Sequence, residues 1–290
     1  MKQGLQRFFS IVLCAVMLMG GMTLVTEAKD LPKDTQETRT THTPVPVTLD
    51  GKRILSDRAY LIDSVTYVGL RAFCEAVGGI SVTWQAQTRT AVMTRAGVKS
   101  TAQDGAWYIQ SNGRYFYTAA PIRIIQDTMY VPVRPLAKAY GVTVTWDAAS
   151  RSVALTRTGK LPASGASYYN QNDVYWLSRI IHAEAAGEPF LGKLAVGNVI
   201  INRKNSSSYP NTIYGVIFDR RHGVQFSPIL NGSIYKTPNE QSVIAAKIAL
   251  EGYTLSDSIL FFMNPKIATN FWISQNRPFA FRIGNHYFYR

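Results

Sequence analysis

A repeat in the first half of the chain constrains the fold more than any other feature of the sequence. Residues 66–95 align with residues 129–157, and each copy has the pattern of a strand, a short helix and a hairpin. Five aligned pairs carry the match: Tyr67 with Tyr130, Arg71 with Arg134, Trp84 with Trp146, Arg89 with Arg151, and Arg95 with Arg157. The sequence therefore predicts a duplicated, β-rich α+β module over residues 44–157.

The second half of the chain has the periodicity of helices. Residues 179–203 indicate two helices separated by a break at Gly187-Glu188-Pro189, because proline is favoured at the start of a helix. The first helix begins near Asp173, and one face carries the apolar residues Val174, Leu177, Ile180 and Ile181. This pattern predicts a mainly α domain over residues 173–290. The predicted fold class is therefore α+β, with two domains.

Local signals predict how these helices begin and end. Glu188 has the position of a cap for the second helix, and Asn202-Arg203 can bond the last carbonyls of that helix. The stretch Thr237-Pro238-Asn239-Glu240 has the pattern of a capping box that opens a third helix. Gly252 supplies the stop of this third helix.

One carboxyl group interrupts the apolar face of the first helix. Glu184 lies seven residues after Leu177 and four after Ile180, where an apolar side chain is expected. Desolvation at such a position disfavours the charged form and raises the pKa of the carboxyl. An acid that stays protonated near neutral pH can protonate a glycosidic oxygen. From the pattern alone, the alternative is a glutamate at a helix end that simply reaches solvent.

The same stretch carries a family resemblance. Residues 182–203, HAEAAGEPFLGKLAVGNVIINR, together with 209–218, 224–232, 260–272 and 283–289, resemble the bacterial cell wall hydrolase family of the SleB/CwlJ type. The resemblance implies a lysozyme-like domain that acts on peptidoglycan, either of the spore cortex during germination or of the vegetative wall. It also implies that the first glutamate of the family motif E-A-x-G-E is the catalytic acid/base.

In this chain the first glutamate of that motif is Glu184. Two positions depart from the family pattern. Ala186 stands where the family usually has arginine, and His182 stands where asparagine is common. These departures leave open a non-catalytic wall-binding or germination-partner protein.

The reaction depends on whether a second carboxylate is available. Most glycosidases use two carboxylates, and the candidate partners of Glu184 are Glu188, Asp219, Glu240, Glu251 and Asp257. None of them is singled out by its position in the sequence. A lytic transglycosylase needs only one carboxyl, since the hydroxyl of the sugar itself is the nucleophile. We therefore expect a lytic transglycosylase, with a water-using muramidase as the alternative.

Other residues are expected to bind the glycan. Gln225, Phe226 and Ser227 fall in a family motif and are predicted to line the groove, with core packing as the alternative for Phe226. Asn264 and His286 are further groove candidates, and either could instead brace a loop.

The repeated module resembles the copper amine oxidase N-terminal-like domain, over about residues 45–157. A copper site normally needs several histidines, and His42 is the only histidine before residue 180. We therefore expect no metal and no cofactor. The resemblance implies an accessory module that contacts the cell wall or other wall and spore-coat proteins. Five aromatic residues of the module, Trp107, Tyr108, Tyr115, Phe116 and Tyr117, could stack on sugars or fill a β core.

The N-terminus predicts export. Lys2 and Arg7 precede an apolar run over residues 8–25, and Ala28 lies at a suitable cleavage position. Residues 1–28 are therefore predicted to be a signal peptide, with an uncleaved anchor as the alternative. Residues 29–43 have the composition of a flexible leader, and residues 158–172 that of a linker between domains. After cleavage no stable membrane span is expected.

The charge of the chain agrees with a wall-associated location. The formal net charge is +13, spread along the chain rather than clustered. A basic exported protein suits an anionic polymer such as peptidoglycan and its associated polymers. Nucleic acid is not expected as a partner, because no nucleic-acid motif accompanies the charge. The sequence therefore predicts a secreted protein associated with the cell wall or spore cortex.

Overall fold

The computed structural model describes residues 42–55, 57–221 and 223–290. The predicted signal peptide and nearly all of the predicted leader lie outside the described residues. Among the helices in the described ranges, none combines the length and the apolar character that crossing a membrane requires.

The first half contains three sheets and two short helices. In chain order its elements are β1 (Thr43–Pro44), β2 (Val47–Leu49), β3 (Lys52–Ile54), β4 (Ala59–Ile62), β5 (Val65–Gly69), α1 (Leu70–Val77), β6 (Ser81–Gln85), β7 (Thr90–Arg95), β8 (Val98–Gln103), β9 (Tyr108–Ser111), β10 (Arg114–Tyr117), β11 (Arg123–Ile125), β12 (Thr128–Pro132), α2 (Val133–Ala139), β13 (Val142–Asp147) and β14 (Ser152–Arg157). The strand orders are β1-β4-β5-β12-β11, β10-β9-β8-β7-β6 and β13-β14-β2-β3.

The predicted duplication is visible in this topology. Each copy runs from a strand through a short helix into a hairpin: β5-α1-β6-β7 in the first and β12-α2-β13-β14 in the second. Strands β5 and β12 pair antiparallel with Val68 opposite Val131, so equivalent residues of the two copies face each other. The equivalent residues Arg89 and Arg151 also share a left-handed backbone, with φ of 49° and 50°. The two copies of the repeat therefore pair with each other through β5 and β12.

The amphipathic pattern of α1 explains how the helix covers its sheets. Leu70, Phe73, Cys74 and Val77 point into the core, while Arg71 and Glu75 are exposed. Burial raises the pKa of the Cys74 thiol to about 12, so this cysteine is a packing residue with little thiolate character.

The second half is mainly helical, as predicted. Its elements are α3 (Gly165–Tyr168), α4 (Gln171–Ala185), α5 (Phe190–Asn205), α6 (Ile213–Ile217), two 3-10 helices (Ser227–Ile229 and Ser233–Tyr235), α7 (Glu240–Leu250), β15 (Phe261–Met263), α8 (Trp272–Asn276), β16 (Phe279–Ile283) and β17 (His286–Tyr289). Helices α4, α5 and α7 pack against one another around a core that includes Leu177, Ile180 and Ile181. The α+β fold with a strand-rich first half and a helical second half is confirmed.

Three helix starts differ from the sequence prediction. Helix α4 begins at Gln171 because the Asn170 side chain accepts the backbone N–H groups of Asn172 and Asp173. Helix α7 is capped by Asn239 rather than by Thr237, since the Asn239 side chain reaches the Ser242 N–H at 2.9 Å.

The start of α5 is the third difference. Pro189 occupies the N-cap position, and no side chain caps this helix. The prediction that Glu188 is the cap was wrong, because the Glu188 carboxylate turns toward the β16–β17 turn instead. The end of α7 agrees with the prediction, as Gly252 has a φ of +85° just past the last turn.

The β9–β10 hairpin joins the two halves. The Tyr117 ring lies 3.8 Å from the Tyr253 ring, and Tyr108 lies 5.8 Å from Phe190, centroid to centroid. Both expectations for the module's aromatic residues, sugar stacking or a β core, were therefore wrong for Tyr108 and Tyr117, which are interface residues. Phe116 does pack in the core of the strand-rich half.

An ion pair lies beside these rings. Arg114 donates to both carboxylate oxygens of Glu251 at 2.7 and 2.6 Å, and the Tyr169 hydroxyl donates to the same carboxylate at 2.9 Å. Both charged side chains are almost completely buried. Lys138 lies 3.4 Å from Glu251 at the edge of this cluster. The two halves are thus connected through a desolvated charge cluster.

The segment between the halves is packed against the hairpin. Gly165 donates its backbone N–H to the Asn112 carbonyl at 2.8 Å. Gly165 lies so close to Gly113 that a Cβ on Gly165 would overlap the Gly113 carbonyl. Asn112 and Gly113 both have positive φ, as the turn of a tight hairpin requires. The backbone of the turn therefore holds the segment at Gly165, within the predicted linker of residues 158–172.

Candidate active site

A groove of about 1280 Å³ crosses the helical half. Its walls come from the ends of α4 and α5, from residues 208–233, from residues 261–277 and from β17. The structure brings all six sequence-predicted site residues to this groove: Glu184, Gln225, Phe226, Ser227, Asn264 and His286.

Glu184 lies in the last turn of α4, next to the buried face of the helix. Desolvation raises the pKa of its carboxyl to about 7. Within the described part of the chain, no hydrogen bond or ion pair engages this carboxyl. Its pKa is therefore raised in the direction that the sequence predicted. At neutral pH the Glu184 carboxyl is protonated in a large fraction of the molecules, and it can donate this proton into the groove.

Asp219 is the second acid at the groove, among the described residues. Its carboxylate accepts hydrogen bonds from the Arg221 guanidinium and from the Arg221 backbone N–H at 2.9–3.2 Å. The Asp219 side chain is nearly buried, whereas that of Arg221 is half exposed. The two acids of the groove thus differ: Glu184 is desolvated, and Asp219 is ion-paired.

The other candidate carboxylates lie elsewhere. Glu188 accepts hydrogen bonds from the backbone N–H and the side-chain amide of Asn285 at 2.9 and 3.2 Å. Although burial raises its pKa, these bonds hold the pKa of Glu188 below its ordinary value. Glu251 belongs to the interface between the halves, and Glu240 and Asp257 are exposed outside the groove.

Arg203 is a buried cation in the groove wall, with 5% of its surface exposed. Its Nε donates to the Leu260 carbonyl at 2.7 Å, and Nη1 donates to Gln225 Oε1 at 3.4 Å. Asn202 donates to the carbonyls of Ser256 and Ile259 at 2.9 Å. The prediction that this pair bonds the last carbonyls of its own helix was wrong, because both side chains reach the segment before β15.

The family motif at 225–227 supplies one packing residue and two polar ones. Phe226 is 3% exposed and belongs to the helical core, so the packing alternative holds for most of its surface. Gln225 positions the Arg203 guanidinium. Ser227 is exposed at the start of its 3-10 helix.

The last two candidates differ in their surroundings. Asn264 Oδ1 accepts the Lys266 backbone N–H at 3.0 Å and so braces the turn after β15. His286 is buried, with its ring centroid 5.2 Å from that of Phe262. Burial lowers the pKa of its imidazole, although Glu188 raises it, so the ring is neutral at physiological pH.

His182, one of the departures from the family pattern, does not line the groove. Its Nδ1 accepts the Asn239 backbone N–H at 3.3 Å, which connects α4 to the start of α7. Ala186 is exposed just past the end of α4.

Sequence reasoning missed the far end of the groove. Trp272 is 48% exposed there, and the Arg277 guanidinium lies 5.2 Å from the Trp272 ring and 4.6 Å from the Phe261 ring. This tail has no helical or strand periodicity that could have distinguished these residues. Their aromatic and cationic surfaces face the same space as Glu184.

Among the described residues, no group of three or more histidine, cysteine, aspartate or glutamate side chains is arranged to hold a metal ion. Of the acidic residues in the described part of the chain, Glu184 and Asp219 line the groove.

Both halves of the chain are similar to known protein families. Residues 187–289 match the family described as Cell Wall Hydrolase, and residues 48–155 match the Copper amine oxidase N-terminal domain. Cell wall hydrolase CwlJ of Oceanobacillus iheyensis is 31% identical over 114 residues, which are 37% of this chain and 79% of that protein. The chain belongs to the cell wall hydrolase family.

Spore cortex-lytic enzymes are similar to this chain over a smaller share of their own length. The spore cortex-lytic enzyme of Bacillus cereus is 42% identical over 120 residues, which are 41% of this chain and 45% of the relative. That of Bacillus subtilis is 39% identical over 120 residues, which are 38% of its length. The chain thus spans less than half the length of these curated relatives. A solved catalytic domain of the germination-specific lytic transglycosylase SleB from Bacillus anthracis is 41% identical, with a TM-score of 0.39, over 42% of this chain and 97% of that domain.

Proposed function

We propose that this cell wall hydrolase is a lytic transglycosylase that cleaves peptidoglycan between N-acetylmuramic acid and N-acetylglucosamine. The observation that carries the proposal is Glu184: a carboxyl in the groove, desolvated, with its pKa raised to about 7 and without a partner among the described residues. Such a group can give a proton to a leaving oxygen and then accept one.

The reaction needs one carboxyl if the sugar supplies the nucleophile. Protonated Glu184 donates to the glycosidic oxygen as the bond from that oxygen to the anomeric carbon breaks. The resulting carboxylate removes the proton from the 6-hydroxyl of the muramic acid, whose oxygen bonds to the anomeric carbon. The products are a free N-acetylglucosamine end and a 1,6-anhydromuramic end, and Glu184 is protonated again. No water is consumed.

The names of the relatives support the proposed substrate class. Several are named spore cortex-lytic enzymes, so we propose that the chain is exported and acts on spore cortex peptidoglycan during germination. The net charge of +13 supports binding to an anionic wall. The first half is proposed to hold the enzyme at the wall. Digestion of purified sacculi from spores and from vegetative cells, compared side by side, tests the choice of substrate.

A water-using muramidase is the second candidate, because Asp219 lies in the same groove. Its carboxylate is engaged by Arg221, which reduces its availability as a base or nucleophile. Mass spectrometry of the released fragments separates the two reactions, since an anhydro end is lighter than a reducing end by one water. A product made mainly of reducing ends would reject the transglycosylase proposal.

Glu184→Gln is the direct test of the catalytic residue. The amide keeps the size of the side chain but cannot donate an acidic proton, so we expect release of fragments to fall by about 10²-fold or more. Asp257→Asn changes an exposed acid outside the groove and serves as the matched control. A Glu184→Gln protein near wild-type activity would overturn the mechanism. Wild-type protein that releases nothing would instead support the non-catalytic alternative.

A further inference from the structure

A second aromatic surface lies outside the groove. We define the aromatic patch as Tyr175, Trp176, Tyr214, Phe218 and Tyr235. Trp176 is at its centre, with ring centroids 4.9 Å from Tyr175, 5.4 Å from Tyr214, 5.1 Å from Phe218 and 6.3 Å from Tyr235. Tyr175, Tyr214 and Tyr235 are 42%, 49% and 60% exposed, respectively. None of the five lines the groove, so this exposed surface has no role in the site described above.

The patch has a rigid base. Trp176 and Phe218 are only partly exposed and pack against the core of the helical half. Tyr214 and Phe218 stack with centroids 4.5 Å apart and planes inclined by 29°. The exposed tyrosine rings are therefore held in place by their neighbours. A preorganised aromatic surface loses little conformational entropy when it binds a ligand.

The patch continues from the groove in two places. Tyr235 ends the 3-10 helix whose first residue, Ser233, lines the groove. On α4, Trp176 lies seven residues before Ala183, which also lines the groove. Seven residues are two helical turns, so the two side chains share one face about 10 Å apart along the axis. A polymer that leaves the groove along α4 would pass over the patch.

An unpaired cation adjoins the rings. The Arg179 guanidinium lies 3.6 Å from the centroid of the Tyr175 ring. Arg179 Nη1 donates to the Tyr175 carbonyl at 3.5 Å, and Nε is buried without a hydrogen-bond partner. No acidic side chain in the described part of the chain forms an ion pair with Arg179. A cation in this position can bind a carboxylate beside a ring that is stacked on the aromatic surface.

We propose that the aromatic patch is a second binding site for the glycan strand, beyond the groove where the bond is cut. This proposal rests on the proposed function. A pyranose ring presents one face of C–H groups, which packs against an aromatic ring, while its hydroxyls remain in water. The exposed tyrosines supply the aromatic faces, and Arg179 faces the carboxylates that an anionic wall glycan carries. The patch would then hold long strands and make no contact with short ones.

The experiment compares two substrates in the full chain. Tyr214→Ala/Tyr235→Ala removes the two most exposed rings of the patch. We expect the half-saturating concentration of intact glycan strands to rise about tenfold, as the loss of two aromatic contacts implies. We expect the maximal rate on strands to stay unchanged. A tetrasaccharide of alternating N-acetylglucosamine and N-acetylmuramic acid should be cleaved as by wild type.

Three further proteins make the result interpretable. Phe279→Ala removes a ring that is 54% exposed outside both the patch and the groove. This variant should bind strands and cleave both substrates as wild type does. Tyr214→Phe/Tyr235→Phe keeps the rings and should keep strand binding. Tyr235→Ala alone, at the most exposed ring of the patch, replaces the double variant if that protein does not fold, and it should change strand binding in the same direction.

Strand binding is also measured without cleavage, by co-sedimentation of the proteins with purified sacculi. Wild-type protein that binds strands but cleaves neither substrate would reject the proposed reaction, and the patch would still be tested by this binding. Unchanged strand binding in the alanine variant would overturn the patch proposal. An equal loss of activity on strands and on the tetrasaccharide would overturn it as well, because the substitutions would then act through the groove.

Discussion

At the scale of single residues, the surroundings of a carboxyl decide what it can do. Glu184 and Glu188 are four residues apart, yet burial raises the pKa of the first while hydrogen bonds from Asn285 lower that of the second. Desolvation without a partner keeps a large part of Glu184 protonated near neutral pH, whereas donors aimed at Glu188 favour its charged form. The same residue type thus gives the acid that we propose for catalysis and an anchor for a turn.

The raised pKa of Glu184 predicts the pH dependence of cleavage. The reaction begins from the protonated form, which is present below the pKa and is lost as the pH rises through about 7. We therefore expect kcat/KM on soluble glycan strands to be level at mildly acidic pH and to fall about tenfold per pH unit above the pKa. Rates measured between about pH 5 and pH 9 check this. An alkaline limb near the ordinary value for a glutamate would contradict desolvation of the acid.

At the scale of secondary-structure elements, the contact between α4 and α5 depends on a glycine. A Cβ on Gly197 would lie 2.9 Å from Cδ1 of the fully buried Ile181 and 3.5 Å from the Ala249 Cβ. The two helices approach closely because residue 197 has no side chain. This position also shows that the Ile181 side chain faces α5.

Gly197→Ala should therefore destabilise the protein despite the better helix propensity of alanine. We expect a loss of about 1–3 kcal/mol in the free energy of unfolding, since overpacking outweighs the propensity gain. Gly187→Ala is the matched control, because a Cβ there meets no atom within 4 Å. Urea unfolding of both variants, followed by circular dichroism, measures the difference. Equal stability of the two would show that the helices separate easily.

The elements that sequence predicts well are those set by local pattern. The strand–helix–hairpin order of the repeat and the apolar face of α4 follow from periodicity and are present in the structure. Helix caps are less predictable, because several side chains near one end compete for the same N–H groups. Asn170 and Asn239 win this competition where Asp173 and Thr237 had marked the expected starts.

The parts of the fold and of the site that the sequence does not predict depend on long-range contacts. The bond from Asn285 to Glu188 spans 97 residues along the chain, and the bond from Arg114 to Glu251 spans 137. No local pattern indicates either pairing. The groove residues Trp272 and Arg277 were missed for a related reason: only the fold brings them to the space that Glu184 faces.

At the scale of the whole molecule, the buried charge cluster connects the two halves. Arg114 and Glu251 have 8% and 3% of their side-chain surfaces exposed. Each charge therefore compensates the desolvation cost of the other. Arg114→Leu would leave Glu251 buried with only Tyr169 and the more distant Lys138 as partners. We expect this to cost about 3 kcal/mol of unfolding free energy in the full chain.

The exposed pair Arg89–Asp104 provides the control for this prediction. Arg89 is mostly exposed, so Arg89→Leu should change stability by less than about 1 kcal/mol. The double variant Arg114→Leu/Glu251→Leu should recover much of the loss, because it removes the unpaired charge. Thermal unfolding of the four proteins at one pH gives the comparison. If Arg114→Leu and Arg89→Leu were equally stable, the interface would not depend on this ion pair.

The close approach of Gly165 to Gly113 has a consequence for how the enzyme samples the wall. A catalytic domain on a flexible linker could reach every strand within the length of the linker, in any direction. Here the backbone of the connecting segment is packed against a hairpin, and this contact restricts such movement. If the first half attaches to the wall, as we propose, the groove has one fixed orientation relative to the point of attachment. The spacing of cuts would then follow the spacing of the attachment points rather than diffusion of the helical half.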